Sequence, residues 1–269
     1  MRTRIISGIV LGIITISSLC VGSWYLYALV LGISLIGMRE LYSVKKINKS
    51  CIAYIGYISA IAYYLVLLLN DPIYEMLVLV IAFMFMMALY VFTFPKYKAE
   101  DIMWVFTGLI YVAVMLSYIY RVRMLSDGIY VVWLIFVASW GNDTFAYFTG
   151  VFLGKHKMAP VLSPKKSIEG AVGGVLGATI LGAIYGYIVS GHMSEMFGYP
   201  VLTFAVASCV GALLAIIGDL AASAIKRNYE VKDYGKLIPG HGGILDRFDS
   251  VIFTAPVVYW AVTLINGLL

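Results

Sequence analysis

Charge is scarce in this chain. Of its 269 residues only 12% are Asp, Glu, Lys or Arg, 62% are hydrophobic, and the mean hydropathy is +0.94. Soluble domains carry about 25% charged residues, so that class is excluded. Cysteine is scarce too. Cys20, Cys51 and Cys209 lie within or beside apolar runs, without metal-ligand spacing, which excludes a disulfide framework. Low-complexity tracts and internal repeats are missing, and this argues against a transporter built from inverted repeats.

What is present is a series of apolar stretches, each near the roughly 20 residues a helix needs to cross a bilayer. They fall at about 5–20, 22–38, 52–69, 76–95, 103–120, 129–150, 169–190, 200–225 and 250–268. These predict an all-α, polytopic integral membrane protein with about nine transmembrane helices. The first stretch, behind Arg2 and Arg4, is expected to be retained rather than cleaved, because eight more follow. Five spans make up residues 1–128. Four more make up residues 129–269, with loops at 151–168 and 226–248. With the N-terminus in and the C-terminus out, all of the 19 Lys and Arg except Arg121 and Arg123 fall on the cytoplasmic side. The net charge of +5 is thus a topology signal and an attraction to anionic lipid, and no nucleic-acid partner is expected.

Polar residues are thinly spread at first. Glu40, directly after Arg39, reads as an interfacial ion pair. Tyr and Trp near span ends fit an aromatic belt. From the sixth span the character changes. Asn142 and Asp143 interrupt an apolar run, and a carboxylate at membrane depth is costly enough to suggest function. Lys155 and Lys157 serve as topology determinants. Ser163, Lys165, Lys166 and Ser167 then adjoin Glu169 at the start of the next helix, where free N–H groups favour an anion. The glycine pairs Gly170–Gly174, Gly173–Gly177 and Gly182–Gly186 suit close helix packing.

Asp219, Ser223, Lys226 and Arg227 fall on one stripe of the eighth helix. Pro239 to Gly243 breaks helix and strand alike. Asp246 and Asp249, three apart, share a face at the start of the last helix. With Asp219 they offer oxygen ligands to Mg²⁺, an ion that keeps several waters and bridges to phosphates. Basic groups and glycines around them suit a phosphate-bearing substrate at the bilayer surface. His241 is expected to hold a phosphate or support its loop.

Ser223, Lys226-Arg227, Lys232-Asp233, Gly235, Pro239, His241-Gly242-Gly243, Asp246-Arg247 and Asp249 together resemble the signature of the phosphatidate cytidylyltransferases, or CDP-diacylglycerol synthases. A second segment is similar to the same family: Asn142-Asp143-Thr144, Ala146-Tyr147, Gly150, Gly154-Lys155, Ser163-Pro164-Lys165-Lys166 and Glu169-Gly170. There Ser167 and Ile168 stand where the family pattern has Thr and Trp. The resemblance is close over 140–250. It implies transfer of the cytidylyl group of CTP to phosphatidic acid, with Mg²⁺ as cofactor, in the cytoplasmic membrane with the site facing the cytoplasm. Asp143, Asp219, Asp246 and Asp249 are then the expected catalytic residues, the last three as metal ligands. Asn142, Ser163, Lys165, Lys166, Ser167, Glu169, Ser223, Lys226, Arg227, Lys232, His241, Gly242, Gly243 and Arg247 are expected to bind substrate. Alternatives are a CTP-dependent lipid or polyprenol kinase and an ion-coupled transporter; a homodimer is compatible with the sequence.

Overall fold

The structure, a computed structural model, describes residues 2–194, 198–240 and 242–268. Among these, nine helical segments follow one another: α1 (Arg2–Val21), α2 (Ser23–Val44), α3 (Cys51–Leu67), α4 (Pro72–Thr93), α5 (Ala99–Arg123), α6 (Gly128–Leu153), α7 (Ile168–Val189), α8 (Pro200–Asn228) and α9 (Leu245–Leu268). The chain is helical and membrane-spanning, as expected. Seven of the helices, α2 and α4 to α9, are long and apolar enough to cross a bilayer. α1, apolar over Ser7–Val21, and α3, Cys51–Leu67, are the two shorter apolar helices. The 17 residues of α3 reach only about 25 Å at 1.5 Å per residue, short of the ~30 Å hydrocarbon layer.

The helices begin and end where the sequence supplies the means. Ser50 caps α3 by accepting the N–H of Ala53, Asp71 caps α4 by accepting that of Ile73, and Pro72 occupies the first turn of α4. Between α1 and α2 the chain turns at Gly22, whose φ of 64° lies in the left-handed region. Arg123, from the end of α5, crosses to this turn and donates to the Leu19 carbonyl at 2.9 Å. Side-chain hydrogen bonds knit the N-terminal half internally. Tyr42 is fully buried and donates to the Val105 carbonyl at 2.7 Å, and Tyr64 pairs with Ser34 at 2.8 Å. Glu75 and Arg121 form a half-buried ion pair between α4 and α5.

In the C-terminal half α7, α8 and α9 pack as neighbours, with α6 beside α7. The α7 glycines serve packing, as the sequence suggested. Gly170, Gly174 and Gly177 face Ala146, Asn142 and Phe145 of α6, whereas Gly182 and Gly186 face Ser208 and the Pro200–Val201 backbone of α8. Lipid offers no hydrophobic drive to join helices, so small residues at these crossings supply the contact area. Two π-helical stretches, Leu109–Val114 and Val137–Gly141, interrupt α5 and α6. The second ends directly before Asn142 and Asp143, the placement at functional sites for which such turns are known. The loop expected at 151–168 holds an antiparallel hairpin, β1 (Lys157–Ala159) with β2 (Ser163–Ser167). The other expected loop is shorter than 226–248, because α8 continues to Asn228 and α9 starts at Leu245.

Gly182 leaves no room for a methyl group against Ser208 and the Phe204 carbonyl, while Gly32 has nothing within 4 Å. Gly182→Ala is therefore expected to lower the unfolding temperature of the purified protein. Gly32→Ala, gaining up to about 1 kcal/mol of helix propensity, should hold or raise it.

Candidate active site

The start of α9 is organised by two buried carboxylates. Asp246 accepts the N–H groups of Tyr234 (2.8 Å) and Gly243 (2.9 Å) on one oxygen and the Lys226 ammonium (2.9 Å) on the other. Glu40, from α2, accepts the N–H groups of Ile244 (3.0 Å) and Leu245 (2.8 Å). The first N–H groups of a helix lack partners within it and carry its positive dipole end, so both anions sit where helix geometry favours them. The interfacial reading of Glu40 is thus corrected: the residue is only 7% exposed and reaches into the loop before α9. That loop adopts the turns its glycines permit. Gly240 and Gly242 have φ of 80° and 88°, and an Ile238–Gly242 bridge closes the turn. Tyr234 anchors it to α8 by donating to the Ala222 carbonyl at 2.9 Å.

On the other side of the site the hairpin folds over α6 and α7. Ser167 is the N-cap of α7 and accepts the N–H of Gly170 at 3.1 Å. Glu169 accepts the backbone N–H groups of Lys155 and His156 and pairs with the His156 ring at 2.6 Å. Lys166 reaches from β2 to an ion pair with Asp219 on α8. Ser223, one turn further along, lies 3.4 Å from the other Asp219 oxygen.

Three cavities meet here. A cavity of about 410 Å³ is lined by Asp143, Lys165, Lys166 and Asp219 together with the largely apolar Ala146, Tyr147, Val151 and Ile216. A second, of about 310 Å³, lies between Gly8, Leu11, Gly12 and Thr15 of α1 and the segment from Asp246 to Ser250; it also touches Asp143. A third, of about 650 Å³, is framed by Lys232, Asp233, Lys236, Arg247 and the loop glycines. Asp143 borders the first two and Arg247 the last two, so the three lie side by side in a row. Asp219 lies within electrostatic range of both Asp143 and Asp249, and Lys166, Arg247 and Lys226 provide the opposing charge.

Most of the residues expected from the sequence converge, though with different partners. Lys165, Lys166, Asp143, Asp219, Lys232, Gly242 and Arg247 line the cavities. Lys226 pairs with Asp246 rather than with Asp219. Asn142 borders the first cavity, yet it is 1% exposed and its side-chain oxygen packs against Gly174. Ser163 is half-buried at the start of β2, and Arg227 is exposed on the last turn of α8, outside the three cavities. Glu169 and Ser167 are held by the hairpin and the α7 N-terminus, and Gly243 is buried beneath Glu40. His241 lies outside the described residues.

Among the described residues no three His, Cys, Asp or Glu side chains are close enough to hold a metal ion unaided. The three aspartates read as metal ligands therefore do not make a preformed cage, and Asp246 already has three partners. Sequence reasoning missed Glu40, Lys236 and His156. A lysine in a glycine-bearing loop was legible for Lys236; nothing local marked Glu40 or His156.

These observations define a polytopic helical membrane protein with neighbouring charged cavities. A model of the cytidylyltransferase family matches residues 2–265, and the chain belongs to that family. It is 30% identical to the phosphatidate cytidylyltransferase of Bacillus subtilis, over 99% of both chains. With the protein of that name from Staphylococcus epidermidis it shares 31% identity over 96% of this chain and 97% of the other. The phosphatidate cytidylyltransferase of Thermotoga maritima is 39% identical over 60% of this chain and 58% of its own length.

The two carboxylates of α9 are expected to respond differently to neutralisation. Asp246→Asn leaves Lys226 as an unpaired buried charge, a loss of roughly 3–5 kcal/mol, and should lower the unfolding temperature markedly. Asp249→Asn should unfold near the parent temperature but turn over little substrate. Thermal unfolding and turnover measured on both variants separate these outcomes.

Proposed function

We propose that this chain transfers the cytidylyl group of CTP to phosphatidic acid, forming CDP-diacylglycerol and releasing pyrophosphate. The observation that carries this reading is the near-full-length likeness to proteins named phosphatidate cytidylyltransferase. The row of cavities suits two anions of different origin. The polar cavity under Lys232, Lys236 and Arg247 fits a nucleotide arriving from water. The half-apolar cavity at Lys165 and Lys166 fits a lipid phosphate whose chains remain in the bilayer. The basic loops support a cytoplasmic position for this end under the positive-inside rule, in a chain with N-in, C-out topology and nine crossings.

In the reaction a phosphatidate oxygen attacks the α-phosphorus of CTP. A new P–O bond forms as the bond to the β-phosphate oxygen breaks, and pyrophosphate departs with the negative charge. The nucleophile is already an anion, so no general base is assigned. Catalysis rests on alignment and on neutralising charge around the phosphorus. Lys166 approaches the lipid phosphate by exchanging its present partner, Asp219, and Arg247 faces both the nucleotide cavity and the neighbouring cavity lined by Asp143 and Asp249.

Mg²⁺ fits this donor set in the manner usual for the ion, which binds one or two carboxylates and completes its shell with water and phosphate. Asp219 and Asp249 would hold it with Asp143 alongside, and Asp246 joins only by releasing Lys226. When bound, it neutralises triphosphate charge.

Purified protein incubated with phosphatidate, Mg²⁺ and CTP labelled in the base should yield labelled lipid and pyrophosphate. Labelled CDP with a newly phosphorylated lipid would instead indicate a kinase and contradict the reading. Replacing Lys165 and Lys166 together by Gln should raise KM for phosphatidate about tenfold or more, each lost charge-assisted hydrogen bond being worth about 1.5–3 kcal/mol.

A further inference from the structure

The glycines before α9 read, in the sequence, as places where backbone approaches a substrate anion. Three of them approach internal ones. A Cβ at Gly235 or at Gly243 would fall on the carboxylate of Glu40, and one at Gly242 would stand 2.8 Å from an oxygen of Asp246. Glu40 comes from α2, some 200 residues earlier, and its two oxygens each take one N–H at the start of α9. It therefore holds three things in register: the far end of α2, the loop that carries Lys232 and Lys236, and the helix turn that carries Arg247. None of its contacts reaches the hairpin with Lys165 and Lys166.

From this geometry we infer that Glu40 is a positioning residue for nucleotide use, fixing the loop cavity without touching substrate. The inference rests on the reading that CTP occupies this cavity. The carboxylate is suited to the task because it only accepts hydrogen bonds and both of its oxygens face donors. Gln in the same place turns one amino group toward a backbone N–H, so one amide loses its partner and the loop must shift. Gly235→Ala displaces the carboxylate sterically and changes no charge.

The test uses the full-length protein in lipid nanodiscs, with KM measured separately for CTP and phosphatidate, and kcat. Misplacement of reacting groups by about 1 Å can cost two orders of magnitude in rate. For Glu40→Gln the expected result is a rise in KM for CTP of about tenfold and a lower kcat, with KM for phosphatidate within about twofold of the parent. Gly235→Ala should show the same asymmetry, and it carries the test if Glu40→Gln does not fold. A purely structural role would reduce only the active fraction, lowering apparent kcat with both KM values unchanged, and that pattern overturns the inference. A rise confined to KM for phosphatidate would uphold positioning by Glu40 but refute the assignment of CTP to the loop cavity.

Discussion

Two buried carboxylates gripping four backbone N–H groups hold the site together. Glu40 and Asp246 take the N–H groups of Tyr234, Gly243, Ile244 and Leu245, and the negative charge of each carboxylate strengthens these hydrogen bonds beyond what a neutral acceptor gives. Leaving such donors unpaired in a buried setting costs about 1–3 kcal/mol each, which makes the arrangement of loop and helix nearly all-or-none. The positive end of α9 and the Lys226 ammonium keep the two negative charges tolerable. Removing either anion unties the loop from the start of α9, leaving it held by the buried side chains of Tyr234, Ile238 and Ile244 alone.

The same economy of charge runs through the cavities. Two of the lysines that face the site already have an aspartate: Lys166 has Asp219, and Lys226 has Asp246. Unpaired charges at membrane depth are expensive, so the site holds its own counter-ions until a phosphate replaces them. Lys166 is about a quarter exposed and pairs across two elements, which suits exchange; the pair of Lys226 and Asp246 is more deeply buried and belongs to the scaffold. The hairpin, pinned by Glu169 to the backbone of Lys155 and His156, brings Lys165 and Lys166 over the apolar wall of α6 and α7.

How much of this was legible in the sequence depended on range. The long apolar helices α4 to α9 were visible because span length is a local property, and the glycine crossings of α7 because their spacing of four matches a helix face. The convergence of Asp143, Asp219 and Arg247 was legible from the kind and clustering of polar groups. Glu40 was not, since its partners lie more than 200 residues away and its neighbour Arg39 offered a simpler pairing. The hairpin was hidden by lysines and a proline that are poor strand formers. Asp246 was correctly placed on α9, but its partners depend on how the loop folds back, and no periodicity encodes that.

Hydrogen–deuterium exchange of individual amides, on the ligand-free full-length protein in nanodiscs, tests the central claim most directly. The first N–H groups of a helix have no partner within it and ordinarily exchange fast. If Glu40 and Asp246 hold the site, the amides of Ile244 and Leu245 should be protected to the same degree as those of Tyr234 and Gly243, before any nucleotide is added. Rapid exchange at Ile244 and Leu245 in a protein whose α9 interior is protected would contradict it.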